Sequence, residues 1–216
     1  MNEITVQGII LLTGPIKEYD RRAVLFTSEL GKITAFANGA RKPNSPLVGM
    51  IHPFSFGAFT LYAGRTSYTI KKAKISNYFT ELREDLTLSY YGFYFLELVD
   101  YFAKEGLQDK ELLKLLYQTL RALGKENISN ELIRCIFELK TLSISGLAPD
   151  ISHYQLHQST LYTLGYIIES PVVKLYTFQV SDQVLAELKK VLKTLLSYHI
   201  DREIKSLELL ETLIEE

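Results

Sequence analysis

The hydrophobic period of this chain changes once, at Phe79, and that change limits what the chain can fold into. Up to that point β-branched and aromatic residues gather in short runs. Beyond it, apolar residues recur every three or four positions. Strands first and helices second make an α+β arrangement in two parts, read as residues 1–79 and 80–216. The strand-forming runs are 5–12, 22–27, 32–37, 54–62 and 67–79. Between them stand turn and loop residues: Gly14-Pro15, Leu30-Gly31, Asn38-Gly39, Pro43, Pro46 and Gly64. In the fourth run Phe54, Phe56, Ala58 and Tyr62 share one face by period two, and Phe59 and Leu61 share the other. Five short strands without a long helix suggest a small closed barrel. The oligonucleotide-binding (OB) fold is the commonest five-stranded solution, and an SH3-like barrel is its rival.

The rear part reads as an all-α domain. Residues 86–104 are apolar nearly all round, from Tyr90 to Phe102, as a buried central helix would be. Residues 109–124 carry Leu112, Leu113, Leu116, Leu120 and Leu123 at helical spacing, with Gly124 as the stop. Residues 129–145 repeat the pattern through Leu132, Ile133, Ile136, Phe137 and Leu139. Ser181 suits the N-cap of a helix over 181–198, striped by Val184, Leu188, Val191 and Leu195. A last helix spans 203–214. Residues 155–178 fit no single period. The segments 162–168 and 172–178 read as two strands around Ser170-Pro171, a small hairpin within 160–178.

Charge divides the chain at the same place. The net charge of −1 conceals a basic front, with 10 Lys/Arg against 4 Asp/Glu in residues 1–79, and an acidic rear, with 14 against 21. A regional excess of +6 favours polyanionic partners. The chain's one cysteine, Cys135, excludes an internal disulfide and any zinc site built from several thiolates. No apolar run reaches the ~18 residues of a membrane span. Met1-Asn2-Glu3-Ile4 has neither a basic flank nor a long apolar stretch, so a cytoplasmic protein is expected.

Catalytic patterns are missing. There is no G-x-x-x-x-G-K-[ST] loop and no G-x-S-x-G elbow. Cys135 sits in an apolar helical stripe as a buried, inert thiol. His52, ahead of Pro53 at a strand entrance, reads as structural. The acidic pairs Glu84-Asp85 and Glu215-Glu216 suit a helix start and a solvated chain end. Neither an enzyme nor a cofactor is expected. The informative residues are the cations of the barrel: Arg21 and Arg22 opening the second strand, Arg41 and Lys42 in a proline-stiffened loop, and Lys71, Lys72 and Lys74 on the fifth. Strict alternation puts Lys72 and Lys74 on one face and Lys71 on the other. Cations along a groove replace the counterions of single-stranded DNA, and Tyr19, Tyr62, Tyr68 and Tyr78 could stack its bases.

The residues that carry a family likeness lie along most of the chain. They are Asp20-Arg21-Arg22-Ala23-Val24-Leu25-Phe26-Thr27, then Gly31-Lys32-Ile33, then Gly39-Ala40-Arg41-Lys42-Pro43. This series resembles the opening barrel of the RecO family of DNA repair and recombination mediators. Leu82-Arg83-Glu84-Asp85-Leu86 with Leu96-Glu97-Leu98 resembles that family's first long helix. Phe137-Glu138-Leu139 before Gly146-Leu147-Ala148-Pro149 resembles its next landmark, and Lys205-Ser206 its ending. The likeness implies binding of single- and double-stranded DNA, annealing of complementary strands and loading of recombinase with the RecR ring. It implies a nucleoid-associated location. It also implies a groove on the helical domain for the acidic, apolar C-terminal tail of single-stranded DNA-binding protein. Arg134, Lys140, Lys189, Lys190, Lys193 and Arg202 are candidates for that groove by residue type. Many family members hold a structural zinc with four cysteines after the Ala-Pro step. Residues 150–159 contain no cysteine and offer only His153 and His157, so no metal is expected. Packing of Leu156, Leu161, Tyr162, Leu164, Val172, Leu175 and Phe178 would then order residues 150–180.

Overall fold

The computed structural model describes the backbone of residues 3–65 and 67–215, and side chains as far as residue 213. Met1, Asn2 and the side chains of Glu215 and Glu216 lie outside what is described. Five strands, β1 (Glu3–Ile16), β2 (Asp20–Thr27), β3 (Gly31–Ala37), β4 (Phe56–Ala63) and β5 (Tyr68–Asn77), close a barrel in the order β1-β2-β3-β5-β4. Four neighbouring pairs are antiparallel, and β3 runs parallel to β5. This is the OB fold.

β1 makes closure possible. Its first half pairs with β4, from Glu3↔Tyr62 to Ile9↔Phe56. Its second half pairs with β2, from Gly8↔Thr27 to Ile16↔Asp20. A bulge between Ile10 and Leu12 bends the strand from one partner to the other. Alternate residues fill the interior: Val6 and Ile10, Ala23 and Leu25, Ile33 and Ala35, Phe59 and Leu61, with Ile70. Leu47 and Ile51, from the long loop after β3, join them. Phe54 does not share a strand face with Phe56. It precedes β4 in the left-handed region, at φ 70°, with its ring buried.

Residues Leu96–Leu113 belong to the same compact unit as Met1–Glu81. Lys32 donates to the Asp100 carbonyl, and its ammonium lies 3.4 Å from the Asp100 carboxylate. Gly31, at φ +64°, approaches so closely that a Cβ would stand 2.0 Å from the Leu107 carbonyl oxygen. One end of β3 is thereby covered.

The second unit comprises Leu82–Phe95 and Lys114–Glu216. The helices of the chain are α1 (Thr80–Glu84), α2 (Leu86–Phe102), α3 (Lys110–Ala122), α4 (Asn130–Ile144), α5 (Gln158–Glu169), α6 (Asp182–His199) and α7 (Lys205–Glu215). The expected first long helix is interrupted after Glu84. The Asp85 carboxylate accepts from Leu88 N–H at 2.8 Å and starts α2 afresh. Ser129 and Ser181 cap α4 and α6 by accepting from Leu132 N–H and Val184 N–H. The buried line of α6 is Val184, Leu188, Leu192 and Leu196; Val191 and Leu195 are only half-buried. None of these helices is long and apolar enough to cross a membrane among the described residues.

The hairpin expected within 160–178 is a helix instead. Thr160, Thr163, Leu164 and Ile167 are buried at i, i+3, i+4 and i+7, a helical stripe that the β-branched residues of the segment obscure. Ser170 is extended before Pro171, which ends α5, and a single 3₁₀ turn over Val172–Lys174 follows. Leu164, Val172 and Leu175 are buried, and Leu156, Leu161 and Phe178 are half-buried. Tyr162 takes no part in that packing, being 74% exposed.

Candidate nucleic-acid interface

The barrel cations lie on two neighbouring patches. The first joins the turn after β1 to the loop after β3. The Asp20 carboxylate accepts from Gly39 N–H at 2.8 Å, and Arg41 N–H donates to the Tyr19 carbonyl at 2.9 Å. These bonds hold Arg41 and Lys42 beside the turn. The Arg41 guanidinium donates to the Glu18 carbonyl at 3.0 Å, and the Lys42 ammonium stands 5.5 Å from the Tyr19 ring centre. Lys17, Tyr19, Gly39 and Lys42 help line a depression of about 420 Å³ here.

The second patch lies on β4 and β5. Thr60 pairs with Lys72 and Leu61 with Ile70, so Lys71 is an extra residue at a bulge. The bulge shifts the alternation by one position. Ile70, Ala73 and Ile75 pack on the interior, while Lys71, Lys72 and Lys74 are all exposed. Lys71 therefore does not point away from its neighbours. Its ammonium is 4.9 Å from the ring centre of Tyr62, whose strand neighbours Phe59 and Leu61 mark the inner side.

Register joins Arg22 to the second patch. Arg22 pairs with Phe36, Phe36 with Thr69, and Thr69 with Tyr62. The row crosses three strand steps, roughly 14 Å at ~4.8 Å each. Ile33, Ala35 and Ala37 are buried, so Phe36 and Thr34 face out, and Arg22 donates to the Thr34 hydroxyl at 3.4 Å. Arg21 lies on the side of Ala23 and Leu25 and reaches Thr13, so it does not join the row. Tyr68 packs on the barrel core. Composition did not single out Phe36; its alternation with Ile33, Ala35 and Ala37 was the available signal. Lys17, beside Tyr19, was also passed over.

On the helical unit, Arg134, Lys189 and Lys193 converge on a cavity of about 260 Å³ with Glu131, Glu138 and Glu211. Arg134 Nε donates to Glu138 at 2.7 Å and Nη2 to Glu211 at 3.1 Å, and the guanidinium stacks 5.3 Å from the Tyr94 ring centre. Lys189 pairs with Glu131. Burial raises Glu138 above the usual carboxylate range, against the pull of Arg134. Burial also pushes the Cys135 thiol far up, which leaves it neutral and unreactive. Lys140 leaves the surface set, because it is buried and donates to the Ile168 carbonyl at 2.8 Å. Lys190 and Arg202 are exposed and do not line the cavity. A larger groove, about 940 Å³ between α5 and α6, carries Tyr162, Tyr166 and Phe178 but no Lys or Arg.

The histidines do not fit the family's zinc. His153 ends a 3₁₀ turn, 3.6 Å from the Asp150 carboxylate, and His157 caps α5 through Nδ1. They share no helix face, and no group of three or more His, Cys, Asp or Glu is arranged for a metal among the described residues. Elemental analysis of protein purified without a His tag is expected to find well under one zinc per chain. Stoichiometric zinc, lost with thermal stability on His153→Ala, would overturn this.

The fold and the basic, aromatic wall define the class: an oligonucleotide-binding barrel in one chain with a helical domain. Residues 1–79 match the family described as Recombination protein O N terminal, and residues 83–155 and 153–208 match Recombination protein O C terminal. The chain is 30% identical to DNA repair protein RecO of Alkaliphilus metalliredigens, over 92% of its own length and 94% of that protein's. It is 27% identical to DNA repair protein RecO of Acetivibrio thermocellus, over 99% and 98%. Identity to DNA repair protein RecO of Clostridium perfringens is 28%, over 94% and 96%. The chain belongs to the RecO family of DNA repair and recombination proteins. The family division falls at residue 79, whereas the compact units assign Leu96–Leu113 to the barrel.

Proposed function

We propose that the barrel binds single-stranded DNA along the outer wall of β2, β3, β5 and β4, and that the protein anneals complementary strands without a chemical step. The observation that carries this reading is the bulge at Lys71, which gathers Lys71, Lys72 and Lys74 beside Tyr62 on one outer face. Phosphates would lie against these lysines, Arg22, Arg41 and Lys42, with bases stacked on Phe36, Tyr62 and Tyr19. Neutralising two strands lets them approach. In the same reading the protein also contacts duplex DNA at the nucleoid, works with the RecR ring, and takes the C-terminal tail of single-stranded DNA-binding protein at Arg134, Lys189 and Lys193.

Purified protein is expected to anneal complementary oligonucleotides without nucleotide. If each of these six cations meets one phosphate, the log–log salt slope of single-strand binding is about −4. Arg41→Ala with Lys42→Ala should flatten that slope by about 1.4 and weaken binding equally across sequences. An unchanged slope would move the DNA off this loop. A basic wall used for docking a protein instead of DNA would show no annealing at all.

A further inference from the structure

Glu211 on α7 already makes the contact that an incoming carboxylate would make. Arg134 is held from one side by Glu138, which is 2% exposed and also accepts from the Tyr94 hydroxyl at 2.7 Å. That arm is fixed by burial. The other arm, Nη2 to Glu211, reaches a carboxylate that is 48% exposed. The cavity holds three cations, Arg134, Lys189 and Lys193, against three carboxylates, Glu131, Glu138 and Glu211. With Glu211 in place the site is neutral; with Glu211 withdrawn it carries +1 in a half-enclosed space walled by Tyr91 and the neutral Cys135. Lys193 has no carboxylate within ion-pair distance among the described residues. α7 itself has the chemistry of the expected ligand, with Leu209, Leu210 and Leu213 interleaved with Glu208 and Glu211.

We propose that Glu211 acts as an internal stand-in for the carboxylate of an acidic, apolar peptide, and that α7 competes with that peptide for Arg134. The inference rests on the reading of this cavity as the peptide-tail site. Competition needs only a small free-energy difference, because the arm to be displaced is a partly exposed ion pair. A peptide need only bind the uncovered state better than the covered one by at least what that pair contributes.

The test is fluorescence anisotropy with a labelled peptide of several aspartates ending in phenylalanine with a free carboxylate, titrated with the full chain. Glu211→Gln is expected to tighten binding roughly threefold, the scale of an exposed pair. Lys193→Ala is expected to weaken it by a similar factor. Glu208→Gln removes the same charge from the same helix without touching Arg134, and should change little. If Glu208→Gln matches Glu211→Gln, the gain is one of overall charge and the competition is overturned. If Lys193→Ala weakens binding while Glu211→Gln leaves it unchanged, the cavity binds the peptide but α7 does not compete. If the peptide ignores all three substitutions, or binds none of the proteins, both the cavity reading and the competition fall.

Discussion

Replacing Lys71, Lys72 and Lys74 together by alanine is expected to lower single-stranded DNA affinity by about a hundredfold in 0.1 M salt. The estimate follows from counterion release. Each phosphate contact contributes about −0.7 to the log–log salt slope for single strands, so three contacts contribute about −2. Extrapolated from 1 M, where that contribution vanishes, to 0.1 M, a slope of −2 is two decades of affinity. The loss should be uniform across sequences, since lysines on phosphates read no bases. It should shrink steadily as salt rises. Structural damage should be small, because all three side chains are exposed. The bulge makes this sharper than alternation would. Were Lys71 on the inner side, Lys71→Ala alone would leave the slope unchanged; on the outer side it flattens the slope by about 0.7. Titration of the single and triple variants at several salt concentrations measures both. Equal slopes in wild type and triple variant would remove β5 from the interface.

Arg134→Ala is expected to destabilise the protein by about 3–5 kcal/mol, because it strands the Glu138 carboxylate in a site where that residue is 2% exposed. For a chain of this size the melting temperature should fall by about 10 °C. The cost should depend on pH. Burial already raises Glu138 above its ordinary value, and loss of the guanidinium raises it further. A carboxyl raised in the folded state binds its proton more tightly there than when unfolded. Its contribution to stability is complete below the unfolded value, roughly 4.3, and is lost as pH rises through the folded one. The deficit of Arg134→Ala should therefore narrow as pH falls from 7 towards 5. Arg134→Met with Glu138→Gln removes both charges and should recover most of the loss. Thermal melts of the three proteins across that range decide the matter. A deficit that stays constant with pH would show that the stranded carboxylate is not its cause.

The strands, the barrel and most helices were legible because their signals are local. Period two in residues 1–79, the serine cap at Ser181, and the leucine stripe of α3 need only neighbours a few residues away. The site was half legible. The regional charge pointed to the barrel, and Arg41 and Lys42 do meet Tyr19. Period two misassigned Lys71, since nothing in Ile70-Lys71-Lys72-Ala73 marks a bulge. Only pairing with Thr60 and Leu61 across the sheet creates it. Residues 158–169 were misread for a related reason. Their β-branched and aromatic residues satisfy strand propensity, but burying Thr160, Thr163, Leu164 and Ile167 against other helices outweighs a preference worth a few tenths of a kcal/mol per residue.

Sequence alone determined that a basic β part precedes an acidic α part, that the single thiol could not build a cysteine cage, and that scarcity of Asp and Glu leaves the first 79 residues with an excess of cations. These follow from composition and short-range periodicity, which survive in any fold the chain adopts. Tertiary structure alone decided which cations lie together. It put Phe36 in one row with Arg22 and Tyr62, withdrew Lys140 into the interior, and set Arg134 between a buried and an exposed carboxylate 4 and 77 positions away. The reason is that register and helix packing join residues far apart in the chain, and a charge acquires its role from what is brought within a few ångströms of it.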